Sequence, residues 1–125
     1  MKFEYDQKID PAAPFLPARL GNLESPPRYG DFRAKVDTGA DMTVIPEAAV
    51  KALNLTVTDR LEVAGFDNRP TIVDVYALQI ELPNGKRGKL KAFAFDEEYV
   101  LLGRDAINHL RLLFDGPALT LEILE

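Results

Sequence analysis

The stretch Lys35-Val36-Asp37-Thr38-Gly39-Ala40-Asp41 decides how the rest of the chain reads. Just upstream, Asp31 to Val36 alternates, with Phe32, Ala34 and Val36 on one side and Arg33 and Lys35 on the other. That is the pattern of a half-buried strand. It delivers Asp37 into a tight turn, where Gly39 lets the backbone bend in a place a side chain would block. A carboxylate held at the mouth of a sheet is open to burial and to neighbouring charge, the influences that set its proton affinity. Taken alone, the turn also fits an aspartate that merely caps its own loop.

Far along the chain lies a second piece, Val100-Leu101-Leu102-Gly103-Arg104-Asp105, with Gly103 66 positions beyond Asp37. Together, Asp37-Thr38-Gly39-Ala40-Asp41, the following Thr43-Val44-Ile45 and this second piece resemble the retropepsin-like (retroviral-type) aspartic proteases. The loop of the two-lobed pepsins usually continues with Ser where this chain has Ala40. The resemblance spans roughly Asp31 to Asp115. It implies that the hydrophobic pair and Gly103 pack behind the catalytic loop, that Arg104 opens a short helix together with Asp105, and that Arg104 pairs with Asp41. An Arg–carboxylate fork is geometrically specific and would fix the loop relative to the helix.

Elsewhere the pattern is mainly β. Met1 to Ile9 alternates and reads as a strand. Pro11, Pro14 and Pro17 permit only an edge-like extended segment around Phe15-Leu16, and Gly21 to Gly30 reads as a surface loop. Pro46 to Leu53 reads as a helix with Pro in its first turn and Glu47 close behind. A helix here is common in the bacterial and cellular retropepsin-like domains and generally missing from viral ones, so the resemblance leans toward the former. Leu61 to Ala64 and Thr71 to Leu82 flank a Gly/Asp/Asn/Pro tip and form a hairpin in the position of the family's flap. Its natural tip residues are Gly65 and Phe66; the Gly-rich viral tip and the flap Tyr of pepsins are both missing. Further strands are expected at Leu90 to Phe95 and Tyr99 to Leu102, a helical segment at Arg104 to Leu110 interrupted late by Asn108-His109, and a last hairpin over Leu112 to Phe114 and Leu119 to Leu124. The expected fold is a retropepsin-like half-barrel with one or two short helices, residues 1–125 making one domain.

Composition limits the alternatives. With 46% hydrophobic and 28% charged residues, the chain has the make-up of a soluble globular protein. A net charge of −5 argues against a nucleic-acid or anionic-membrane surface, and the basic cluster Lys86, Arg87, Lys89 and Lys91 reads as solvated edge charge around an Asn84-Gly85 turn. No Cys is present, which removes disulfides and thiolate-bound metals. His109 is the single histidine, too few for a metal site or a Ser-His triad, and Asp37 and Asp41 offer a cation fewer oxygens than it needs, so no metal or cofactor is expected. The first residues lack the apolar core of a signal peptide and no stretch is long enough to span a membrane, which makes the cytoplasm the default location.

Carboxylate-driven peptide hydrolysis needs two carboxylates sharing one proton, one acting as base on a water and the other as acid toward the carbonyl oxygen. Only one Asp-Thr-Gly occurs, so the reading requires a homodimer in which Asp37 of each copy meets at a two-fold axis. The resemblance implies that Thr38 bonds across that axis, Gly39 admits the substrate backbone, and Asp41 meets the substrate main chain. It also implies that the N- and C-terminal strands interleave between subunits. Ala40 lacks the hydroxyl that pepsin-like enzymes place beside the catalytic group, implying a less acidic optimum than pepsin's. Protein substrates would bind extended, against subsites drawn from Val44, Ile45, Phe66 and Leu102. The alternative is a non-catalytic peptide-binding or dimerisation module on the same fold, although such a scaffold has no need of an intact Asp-Thr-Gly.

Overall fold

The computed structural model describes residues 1–64 and 67–125. The strand that feeds the motif loop, β3 (Tyr29–Val36), lies in a sheet with β2 (Phe15–Gly21), β4 (Val44–Pro46), β5 (Val57–Ala64), β6 (Pro70–Glu81), β7 (Arg87–Phe95) and β8 (Val100–Leu102). The strand order is β2-β3-β8-β4-β7-β6-β5, and β2 also pairs with β6 from Arg19↔Glu81 to Gly21↔Gln79. That extra pairing closes six strands into a barrel and leaves β5 outside it, as a strand carried on β6. Closure removes the open edges a flat sheet would expose.

Alternation builds the core. Along β2, Leu16, Ala18 and Leu20 turn inward while Pro17 and Arg19 stay exposed, and along β3 Ala34 and Val36 join them. Pro17 lies where β2 is paired on one side only, the position that tolerates a residue without an N–H. Val100 and Leu102 from β8, Leu78 and Ile80 from β6 and Ala92 from β7 complete the interior. Helix α1 (Glu47–Ala52) caps one end, burying Ala49. It stops in a Schellman arrangement: Asn54 takes the left-handed conformation (φ 51), its N–H bonds Lys51 O at 3.2 Å, and Leu55 N–H bonds Val50 O at 3.1 Å. Asn22, only 2% exposed, pins this end, donating from Nδ2 to Leu53 O at 2.8 Å while its Oδ1 accepts the Arg28 N–H at 3.0 Å.

A second, smaller sheet has the order β1-β10-β9, with β1 (Lys2–Glu4), β9 (Arg111–Asp115) and β10 (Thr120–Leu124). The first strand is shorter than the alternation of Met1 to Ile9 suggests. Asp6 Oδ1 accepts the Lys8 N–H at 2.9 Å, an Asx turn that ends the extended run, and beyond β1 only the Asp6↔Ala13 bridge remains. The two ends of the chain pair with each other inside one molecule, Phe3 opposite Leu121, so both edges of β10 are occupied. Helix α2 (Arg104–Ile107) ends at the expected interruption, with Asn108 as its C-cap. Among the described residues no helix is long and apolar enough to cross a membrane.

Salt links steady the β2–β3 flank. Arg33 stacks over the Phe15 ring at 4.3 Å and reaches Asp6 at 2.8 Å, holding that carboxyl below its ordinary range. Arg19 does the same to Asp31 at 2.9 Å.

Candidate active site

A parallel strand pairing brings the two motifs together. β3 runs alongside β8, Val36 opposite Leu102, so the residues that follow each strand, Asp37 and Gly103, emerge side by side. The Asp37 N–H bonds Leu102 O at 3.0 Å, and the Ala40 N–H bonds Asp37 O at 3.2 Å, closing the turn. Asp37 Oδ1 accepts the Gly39 N–H at 2.9 Å. The carboxylate therefore does cap its own loop, and that bond aims it outward from the barrel mouth, half-exposed.

Gly39 leaves room beside the carboxylate. A Cβ there would sit 3.2 Å from Asp37 Oδ1, pressing on the carboxylate itself. Gly103 is tighter: a Cβ would lie 2.7 Å from Met42 C and 2.8 Å from Met42 O. The backbone of α2 thus rests directly on the segment that follows the loop.

Arg104 ties the two motifs. Its N–H bonds Ala40 O at 2.8 Å, its Nη1 donates to Thr38 O at 2.8 Å, and its Nη2 pairs with Asp41 Oδ1. The Asp41–Arg104 link expected from the resemblance is present, and the same guanidinium also grips the loop main chain. A chelating guanidinium fixes orientation as well as distance.

Sequence reasoning missed Thr43. This residue is fully buried. Its N–H donates to Asp105 Oδ2 at 3.0 Å and its hydroxyl to Asp105 Oδ1 at 2.7 Å, while Oγ1 accepts the Gly103 N–H at 3.1 Å. One threonine and one carboxylate thereby staple the loop exit to the first turn of α2. The only hint in sequence was a polar residue heading the apolar run Thr43-Val44-Ile45. Thr43→Val is expected to cost about 1–3 kcal/mol in a denaturant titration, because it strands the Gly103 donor. Thr43→Ser should recover most of the loss, and a Val variant within about 0.5 kcal/mol of the parent would show that the staple carries little.

Other expected site residues divide by strand face. Ile45 and Leu102, expected among the substrate contacts, are fully buried in the core. On the opposite face Val44 pairs with Leu101 of β8 and with Phe93 of β7. Alternation gives each strand two faces, so Val44, itself only 5% exposed, lies on the face opposite Ile45, and Leu101 on the face opposite Leu102. Thr38 and Asp41 are exposed. The β5–β6 hairpin, expected to be the flap, is paired from Val57↔Tyr76 to Ala64↔Pro70, and its expected tip residues Gly65 and Phe66 lie outside the described residues.

A closed β barrel whose Asp-Thr-Gly loop is backed by a Gly-Arg-Asp helix start has the architecture of a retropepsin-like acid protease. The sequence profile described as aspartyl protease matches residues 20–106, and the chain belongs to that family. The fold is similar to a retropepsin-like aspartic protease from Rickettsia conorii at TM-score 0.69 and 15% identity, covering 98% of this chain and 88% of that one. It is also similar to EIAV protease complexed with the inhibitor HBY-793, at TM-score 0.58 and 18% identity, covering 78% and 86% respectively. A foamy viral protease-reverse transcriptase in complex with an RNA/DNA hybrid gives TM-score 0.59 and 19% identity over 79% of this chain. The chain spans only 12% of that viral polypeptide's length. The bacterial structure thus scores above both viral ones, in keeping with the helix at α1. No curated protein sequence matches the chain.

Proposed function

We propose that residues 1–125 form one aspartic endopeptidase domain that works as a homodimer, each copy lending Asp37 to a shared catalytic centre. The observation that carries this reading is an incomplete site: a single Asp-Thr-Gly carboxylate in the chain, oriented by its own loop. Two such carboxylates brought to about 3 Å cannot both ionise, so the pair holds one proton, as in aspartic proteases generally. The ionised member takes a proton from a water, whose oxygen attacks the peptide carbonyl carbon. The protonated member gives its proton to the carbonyl oxygen. Collapse of the resulting diol breaks the C–N bond as a proton passes to the leaving nitrogen, and the pair is restored.

Arg104 and Asp105 act as positioning residues, holding the loop through Thr38, Ala40, Asp41 and Thr43. Substrate would lie extended between this floor and the β5–β6 hairpin, an added strand whose side chains alternate between Val44 and Leu101 on one side and the hairpin on the other. Closing the hairpin would exclude bulk water.

The test is cleavage of an unfolded protein such as reduced casein across a concentration series. Activity per copy is expected to rise with the dimer fraction measured by sedimentation and to be suppressed by pepstatin. Activity per copy independent of concentration in a demonstrably monomeric sample would overturn the reading. Binding of extended peptide without cleavage at any pH would favour the peptide-binding module instead.

A further inference from the structure

Gly88 is a glycine the fold itself does not need. It lies inside β7 opposite Ile80, in a ladder that runs without a bulge from Val75↔Phe93 to Glu81↔Arg87. Its φ is outside the left-handed region, and a Cβ built on it would meet nothing within 4 Å. A glycine that serves neither bulge nor bend in a strand marks a place where a ligand or a second backbone comes close.

The strand edge at Gly88 is open. β6 pairs with one side of β7 from Arg87 to Phe93, whereas on the other side β4 reaches only Phe93 to Phe95. Among the described residues no strand lies against that second side of Arg87 to Ala92. A cavity of about 350 Å³ opens there, lined by this half of β7 and by α2. Ile80, Leu82, Leu90 and Ala106 give it an apolar floor. Asp105, the one acid in its lining, has both oxygens engaged by Thr43.

Charge gathers at the same edge. The chain carries a net −5, yet Lys86, Arg87, Lys89 and Lys91 follow one another closely, and His109 joins the lining of the cavity. Arg87 is paired with Glu81 and Lys86 donates to His109 O at 2.8 Å, while Lys89 and Lys91 have no ion pair among the described residues. Alternation puts Arg87, Lys89 and Lys91 on one face and Gly88, Leu90 and the buried Ala92 on the other. Lysines often guard a bare edge against unwanted pairing. Here, though, the inner face at position 88 is left without a side chain, above an apolar floor.

We propose that this edge is a second docking site, taking an extended acidic segment of a protein as an added strand. Its acidic side chains would meet Arg87, Lys89 and Lys91 on the outer face, and its apolar ones would enter the cavity on the inner face. Main-chain bonds supply affinity and the two faces supply selectivity. A nucleic acid fits less well, because no Phe, Tyr or Trp lines the cavity for a base to stack on and the chain as a whole is acidic. The inference deepens the protease reading, on which its substrate half rests: acidic stretches away from the cleaved bond are held here, so acidic unfolded proteins are the preferred substrates.

Binding is read by fluorescence anisotropy of a labelled peptide of alternating glutamate and leucine. The Asp37→Asn chain is used so that the peptide stays whole, with pepstatin present to fill the catalytic cleft. Affinity is expected to fall by at least about tenfold in G88F, whose ring occupies the space over Ile80, and by about fivefold in K89E. It should also weaken as salt is raised. G88F should melt no lower than the parent, since phenylalanine suits a strand better than glycine. With Asp37 intact, KM for an acidic unfolded protein should rise in G88F with kcat unchanged, while a short uncharged peptide is cut as before.

Equal binding by the parent, G88F and K89E would refute the site and leave the protease reading untouched. Binding that is lost in both variants of a chain that cuts nothing would keep the site and remove the protease. A KM unmoved in G88F, despite weakened peptide binding, would strike out the substrate class. Single-stranded DNA held more tightly than the acidic peptide, and released by the same two variants, would make the occupant a nucleic acid and overturn the proposal.

Discussion

Asp37→Asn is expected to abolish proteolysis, lowering cleavage of an unfolded protein by at least about a thousandfold, since neither copy can then act as base or acid. The fold should survive intact. Asn keeps a side-chain oxygen where Asp37 Oδ1 accepts the Gly39 N–H at 2.9 Å, so the turn retains its internal bond. Thermal melting within about 1 kcal/mol of the parent would then mark the loss as chemical and not structural. The comparison should be made at the parent's optimal pH with pepstatin as a second control. Cleavage by the variant within tenfold of the parent, still blocked by pepstatin, would place the catalytic carboxylate elsewhere.

Gly103→Ala is expected to produce the largest loss of stability of any single methyl added to this chain near the site. The new Cβ would meet Met42 C at 2.7 Å, Met42 O at 2.8 Å and Thr43 N at 3.0 Å. All three are backbone atoms and none can rotate aside, so either α2 or the loop exit must shift. A shift there also disturbs the Thr43–Asp105 staple and the hold of Arg104 on Thr38. Overpacking with loss of buried hydrogen bonds costs on the order of 3 kcal/mol or more, and in a domain of this size lowers the melting temperature by roughly 10 °C. Differential scanning calorimetry reads this directly. A melting temperature within about 2 °C of the parent would mean the two segments are not pressed together as described.

Much of the fold and of the motif loop is legible in the amino-acid order alone. The loop announces itself because its chemistry is local: an alternating strand, an acid, a small residue that must stay small. The Asp41–Arg104 pair follows from the resemblance, since its partners sit at fixed offsets within two short motifs. What stays hidden depends on register and burial. Val44–Pro46 is a strand three residues long running straight into α1, too short for any period to show. Whether Val44 or Ile45 faces away from the core turns on the pairing of β4 with β7 and β8, which sequence order does not disclose. Thr43 looks like an ordinary strand residue until its hydroxyl is seen enclosed with Asp105. Met1 to Ile9 misleads because its alternation is real but is cut by the Asp6 side chain bonding the Lys8 N–H.

The bonds that shape the motif loop set an order of events during synthesis. Leu102, Arg104 and Asp105 supply the contacts to Asp37, Ala40 and Thr43, and Thr43 waits for a partner 62 residues downstream. At translation speeds of about 5–20 residues per second, the ribosome needs roughly 3–12 seconds to deliver that partner. Throughout that interval the loop has only its internal bonds, from the Gly39 and Ala40 N–H groups to Asp37, and lacks those that residues 102–105 supply.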